Sequence, residues 1–187
     1  MREESNPPLF LLCNGEMLPA DDALLPVTDR AVAFGAGVFE TIAAYYGTPF
    51  ALEKHIARLR AGMEYFGIDL ELPVDLEQQL RELIEKNQLT DECPARVRIT
   101  VTAGPVAGTP CWIMEATATP QHASVAALIT GPFVRNDQSP LSAFKTINYG
   151  DNHAAMQAVI RAGKTEALFS NTRGNLCEGT WSNFFFL

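Results

Sequence analysis

Apolar and polar positions along this chain follow two different periods, and the points where one period gives way to the other mark the elements. The stretch LFLLCNGEML is an apolar run broken by Asn14-Gly15, a dipeptide that favours a tight hairpin, so two short strands are predicted at the start. After DRAVAFGAG, the segment VFETIAAYYGTPFAL repeats the form as strand, turn at Gly47-Thr48-Pro49, strand. From Glu53 the spacing becomes helical: Ile56, Leu59, Met63 and Phe66 share a face, Arg58, Arg60 and Glu64 lie elsewhere, and Gly67 stops the run. A second amphipathic helix follows in DLEQQLRELIEKNQL, with Leu76, Leu80, Leu83 and Ile84 as its stripe. ARVRITVTAG then sets Val97, Ile99 and Val101 against Arg96, Arg98 and Thr100, the two-residue period of a half-buried strand, and CWIMEATA is its expected partner.

Two hairpins and two helices make an α+β unit. The polar, Pro-containing TPQHAS closes it, so the pattern predicts two domains, a small α+β domain over residues 1–120 and a second over 121–187. The second reads as a strand in VAALITGPFV, a loop, the segment FKTINYGDN, a helix NHAAMQAVIRAG stopped by Gly163, and the strands EALFSN and EGTWSNFFFL.

Composition narrows the classes of partner. With 187 residues, 47% of them hydrophobic, the chain can bury a sizeable core, and disorder is not expected. A formal charge of -8 repels nucleic acid and anionic membrane and leaves no cationic stripe for a phosphate backbone, which points to small molecules or proteins. There is no apolar run of about 18 residues and no convincing signal peptide, so a cytoplasmic protein is expected. Cys13, Cys93, Cys111 and Cys177 are widely spaced, with no CxxC and no His at ligand spacing, and read as reduced, mostly buried thiols rather than a metal site.

Few residues are candidates for chemistry. Lys54, Lys86 and Lys164 sit beside charges or at helix ends, but Lys145 lies in the neutral AFKTINYG just ahead of a helix. A lysine in such a place is either a snorkelling side chain, the more ordinary case, or a desolvated amine fit for nucleophilic attack. Glu178, between a cysteine and a glycine at the mouth of an apolar strand, is either a turn residue facing water or a buried carboxylate in need of a cation or proton donor. Arg58 follows His55 by one helical turn in HIARLR, so the two share a face, and an arginine there is either solvated or a clamp for phosphate. Gly35 and Gly37 in FGAGVFE lack the pattern of a phosphate loop and mark backbone that needs positive φ or close packing. An amine, a carboxylate and a phosphate-binding arginine are together the equipment that pyridoxal 5'-phosphate requires.

DRAVAFGAGVFETI, HIARLR and FKTINYGDNHAAMQAVIRAGKTEALFSNTRGNLCEGTWSNFFFL resemble the class IV family of pyridoxal-phosphate enzymes: branched-chain aminotransferases, D-amino-acid aminotransferases and 4-amino-4-deoxychorismate lyases. The resemblance implies that Lys145 is the catalytic Schiff-base lysine, that its amine is neutral when it attacks, and that it shuttles the proton at substrate Cα. It implies further that Glu178 is buried and binds the pyridine nitrogen, that Arg58 binds the phosphate, and that Tyr149 lies near the cofactor. The family fold is a small α+β domain followed by a larger domain with a barrel-like sheet, the cofactor lying between them, commonly in a homodimer.

Two departures bear on function. Ala103 stands in "TAG" where many members that bind an α-carboxylate have "TRG", so the carboxylate is held by other groups or the substrate differs. The family also continues beyond the strand that contains Trp181 and Phe184 to Phe186, and the stop at Leu187 reads as a truncation. Three functions are therefore expected in order: an aminotransferase acting on an amino acid and a 2-oxo acid, a lyase releasing pyruvate and 4-aminobenzoate from aminodeoxychorismate, and an inactive dimerising fragment.

Overall fold

A computed structural model describes residues 10–89, 94–121 and 124–185. Cys93, Phe186, Leu187 and part of the expected boundary segment, His122 and Ala123, lie outside them. The chain divides into two compact units, one formed by residues up to Pro120 with Phe144–Ile147, the other by Gln121–Ala143 with the residues from Asn148 on.

The first unit is an antiparallel six-stranded sheet in the order β2-β1-β6-β5-β3-β4. Its strands are β1 (Phe10–Cys13), β2 (Glu16–Pro19), β3 (Gly37–Tyr45), β4 (Thr48–Pro49), β5 (Ala95–Thr102) and β6 (Cys111–Ala118). The expected alternation in β5 is realised: Val97, Ile99 and Val101 are fully buried, whereas Arg96, Arg98 and Thr100 are half-buried. Helices α2 (Leu52–Tyr65) and α3 (Leu76–Lys86) supply the other half of the core. Their faces are those that the spacing predicts, with Ile56, Leu59 and Met63 from α2 and Leu76, Leu80, Leu83 and Ile84 from α3 packed against Val38, Ile42, Val97 and Met114. Each fully buried leucine in this layer stabilises the unit by roughly 1.5–3 kcal/mol relative to leaving it in water.

The sequence pattern shows no helix in DRAVAFGAG, yet a short one, α1 (Arg30–Phe34), forms there. Its cap explains it. Asp29 is buried, accepts from the amide of Ala31 at 2.8 Å and from the Thr102 hydroxyl at 2.6 Å, and Gly35 ends the turn in the left-handed region at φ 65°. Arg30 then clasps the end of β5, donating to the carbonyls of Ala103 and Gly104. Ala103 is itself buried in this joint.

The second unit is a three-stranded sheet in the order β7-β8-β9, from β7 (Leu128–Arg135), β8 (Glu166–Asn171) and β9 (Leu176–Gly179), with α4 (Gly150–Arg161) as the crossover between the parallel pair β7 and β8. Phe169, Ala167, Val159 and Ala155 form its small core. Among the described residues the sheet is open, with no closed barrel. The expected last strand is shorter than its apolar sequence suggests: β9 ends at Gly179, and Trp181 and Phe185 are exposed. The physical reason is local, because the carboxylate of Glu166 draws the chain into a turn after Gly179 by accepting from the hydroxyls of Thr180 and Ser182.

The cysteines also differ from expectation. Cys13 and Cys111 are half-buried with sulfurs 3.6 Å apart, and Cys177 is exposed. Burial, and then the neighbouring Cys13 sulfur, push the Cys111 thiol up to about 12. No helix among the described residues is long and apolar enough to cross a membrane.

Candidate active site

β3 is paired with β5 along its length but with β4 only at Ala44 and Tyr45, which leaves the edge of its first half open. The segment Phe144–Ile147 closes that edge. The amide of Phe39 donates to the Lys145 carbonyl at 2.9 Å, the amide of Ile147 donates to the Gly37 carbonyl at 3.1 Å, and Val38 and Thr146 form an antiparallel bridge. Gly37 is what lets the segment come so close: a Cβ there would lie 2.7 Å from the Val101 carbonyl oxygen and 2.9 Å from Ile147 Cδ1. Close packing, one of the two reasons expected for this glycine pair, therefore holds at Gly37. Gly37→Ala is expected to cost roughly 1–3 kcal/mol in urea unfolding and to loosen the Lys145 segment; hydrogen exchange at the amide of Ile147 unchanged from wild type would contradict this.

With its main chain held, Lys145 lays its Nζ over the ring of Phe39 at 4.5 Å from the centroid. Arg98, from the neighbouring strand β5, stacks on the same ring with its Cζ at 3.7 Å, and also lies 4.0 Å from Glu115. A half-buried amine and a guanidinium thus share one aromatic platform. Phe144, beside the lysine, is fixed by stacking on Tyr65 of α2 at 4.4 Å between centroids.

Arg58 and His55 do share a face of α2, as their spacing predicts, and both point at one acid that the sequence pattern passes over. Glu40 lies in β3 between the core residues Val38 and Ile42, with 0% of its surface exposed. Arg58 grips it in a two-pronged fork, Nε donating to Oε1 at 2.5 Å and Nη2 to Oε2 at 2.6 Å, and His55 Nδ1 lies 2.7 Å from Oε2. An ionised carboxylate only accepts, so His55 carries its proton on Nδ1. α2 comes close enough for this because Gly62, one turn on, faces Val38, where a Cβ would meet Cγ1 at 2.7 Å. The signal for Glu40 was the alternation of GVFETIAAY itself, which puts the lone acid on the core face.

Burial alone would raise the Glu40 pKa, but the hydrogen bonds and charges of Arg58 and His55 outweigh it and hold it below the ordinary 4.5. Glu166 behaves alike: burial raises it, and the hydrogen bonds from Thr180, Ser182 and the Ala167 amide bring it below 4.5. Because both folded values are depressed, the stabilisation is complete above 4.5 and is lost as the pH falls through the folded values. Thermal melts are expected to fall steeply below about pH 4.5, with a shallower fall in Glu40→Gln; an equal acid slope in that variant would contradict the assignment.

Glu178 and Tyr149 belong to the second unit, whereas Lys145 and Arg58 belong to the first. The Glu178 side chain is 44% exposed rather than buried, because its strand is short and lies at the sheet edge. Its need for a cation is met by Arg135, whose Nε donates to Oε1 at 2.8 Å. Tyr149 precedes α4 and packs on Trp181 with centroids 5.6 Å apart. No local pattern could have singled out Arg135, since its partner lies 43 residues away. No cluster of metal-ligating side chains occurs among the described residues.

The family model for amino-transferase class IV matches residues 37–187. A D-alanine aminotransferase of Bacillus licheniformis is 39% identical over 82 residues, 43% of this chain and 29% of the relative. An aminodeoxychorismate lyase of Bacillus subtilis is 33% identical over 96 residues, 51% of this chain and 32% of the relative. The crystal structure of a branched-chain aminotransferase from Thermoproteus uzoniensis with norvaline superposes with a TM-score of 0.78 at 21% identity, over 92% of this chain and 63% of that one. The matched part of the chain thus spans less than two thirds of each of these proteins.

Proposed function

Because the chain belongs to the class IV aminotransferase family, we propose that it moves an amino group between an amino acid and a 2-oxo acid with pyridoxal 5'-phosphate as its cofactor. The observation that carries this is the Phe39 platform, the ring on which both the Lys145 amine and the Arg98 guanidinium lie. An amine nucleophile and a cation on one ring suit an anionic amino-acid substrate, and Arg98 would supply the carboxylate partner that Ala103 cannot.

The residues present fit the cofactor. Arg58, whose side chain is 56% exposed beside its fork to Glu40, is the cation that would hold the phosphate. Glu178 Oε1 is taken by Arg135, and among the described residues Oε2 has no hydrogen-bond donor, which leaves it to accept from a ring nitrogen. When bound, the cofactor holds the amino group and draws off the electron pair released at substrate Cα. Lys145 anchors it covalently and then takes and returns the proton at Cα. Tyr149, packed on Trp181, borders the ring in this reading. The division into domains near residue 120, a cytoplasmic location and a homodimer complete the reading, the last supported by the exposed apolar residues Leu24, Val27, Val32 and Phe34.

The test is a half-reaction. Cofactor-loaded protein given an amino acid and no acceptor releases one equivalent of the matching 2-oxo acid and then stops; continuing release of pyruvate and 4-aminobenzoate from aminodeoxychorismate would instead assign the lyase reaction, and neither product would leave an inactive fragment. Arg98→Ala is expected to raise KM for the amino acid at least about tenfold with a smaller fall in kcat, as loss of a charge-assisted hydrogen bond implies, and an unchanged KM would remove Arg98 from the site.

A further inference from the structure

We propose that Arg135 is a positioning residue for the proposed ring-nitrogen contact: it fixes the Glu178 carboxylate so that Oε2 meets the cofactor's pyridine nitrogen. The proposal rests on the reading of Glu178 given above and goes beyond it, because it assigns a role to a residue that makes no contact with the reacting atoms.

An arginine paired with a 44% exposed glutamate is ordinarily a weak, mobile surface pair. Arg135 is different because it is held from three directions. It sits at the end of β7, and its guanidinium crosses the central strand of the sheet over the ring of Phe169, with Cζ 4.4 Å from the centroid. Its Nη2 donates to Oδ1 of Asn152 on α4 at 2.7 Å, while its Nε donates to Glu178 Oε1 on β9 at 2.8 Å. Phe169 and Asn152 are both buried, so two of the three anchors are rigid. The planar fork cannot turn without losing one of them.

The same asparagine also fixes the backbone next to the carboxylate. Asn152 Nδ2 donates to the Thr180 carbonyl at 2.6 Å, two residues beyond Glu178, and the Thr180 amide donates to Glu166 at 2.8 Å. Asn152 therefore ties the arginine and the turn after β9 to one helix, and Glu178 is held both at its carboxylate and by the chain that follows it. What is left without a donor among the described residues is Oε2. Once Arg135 is removed, a half-exposed glutamate turns freely into water, and Oε2 spends less time where a ring nitrogen could use it.

The test reads the ring nitrogen directly. Protein loaded with ring-15N-labelled pyridoxal 5'-phosphate is titrated by NMR, in which the nitrogen's chemical shift reports its protonation, for wild type, Glu178→Gln, Arg135→Met and Arg135→Lys. The nitrogen is expected to stay protonated across the range in wild type and to lose its proton in Glu178→Gln. In Arg135→Met its resonance is expected to move toward that of Glu178→Gln, and in Arg135→Lys, which keeps the charge but not the fork, to move in the same direction by a smaller amount. A resonance in Arg135→Met that matches wild type, while Glu178→Gln differs, overturns the role of Arg135 alone. A resonance unmoved in Glu178→Gln overturns the Glu178 reading and the proposal with it. If Arg135→Met fails to fold, Arg135→Lys decides, and the absence of any displacement there contradicts the proposal.

Discussion

Lys145→Ala is expected to lower turnover by at least about 10^4-fold while the protein stays folded, because one side chain is asked to be both the covalent anchor and the proton carrier. The segment's hold on β3 is a main-chain one, through the Lys145 carbonyl and the Ile147 amide, and the substitution leaves it intact. Its side chain lies over the Phe39 ring, a contact whose loss costs about 1 kcal/mol. Steady-state rates and circular dichroism measured on the same sample separate the two effects. Activity within tenfold of wild type would remove Lys145 from the chemistry, whereas a collapsed spectrum would show that the lysine is needed for folding instead.

Glu40→Ala is expected to cost stability rather than a chemical step. Removing one member of a buried pair commonly costs about 3–5 kcal/mol, and because Arg58 and His55 are themselves partly exposed the expected loss here is about 2 kcal/mol in urea unfolding. The value should shrink when Arg58→Ala is made first, since the carboxylate and the guanidinium act as a pair. If the two losses simply add, the fork does not couple β3 to α2, and Glu40 is instead a buried acid stabilised by its other neighbours.

The elements that were legible in the sequence are those whose cause is local. The stripe Leu76, Leu80, Leu83, Ile84 and the alternation of Val97, Ile99 and Val101 state their own burial, and the structure follows both. The i,i+3 pair His55 and Arg58 likewise showed a shared face, though not the acid that uses it. What was not legible depends on residues distant in the chain. Helix α1 exists because Thr102 completes the cap at Asp29, 73 residues earlier. Phe144–Ile147 joins the first unit although it follows 23 residues of the second, because the open edge of β3 accepts it. A division drawn from composition at TPQHAS cannot show this return.

Glu178 illustrates the same limit at the candidate site. Its apolar neighbourhood in CEGTWSNFFFL suggested an interior strand and left the acid either facing water or buried, and the resemblance implied burial. The fold instead turns the chain at Thr180 through Glu166 and leaves the acid half-exposed beside Arg135. The resemblance singled out Lys145, Arg58, Tyr149 and Glu178, but the residues that hold them, Phe39, Glu40, Trp181 and Arg135, emerge only from the fold.

The central claim is that the Lys145 amine is the group that carries the cofactor. Protein loaded with pyridoxal 5'-phosphate, reduced with borohydride and digested should yield the reduced cofactor's added mass on the peptide that contains Lys145. The same mass on a peptide containing Lys54, Lys86 or Lys164, or on none, would contradict it.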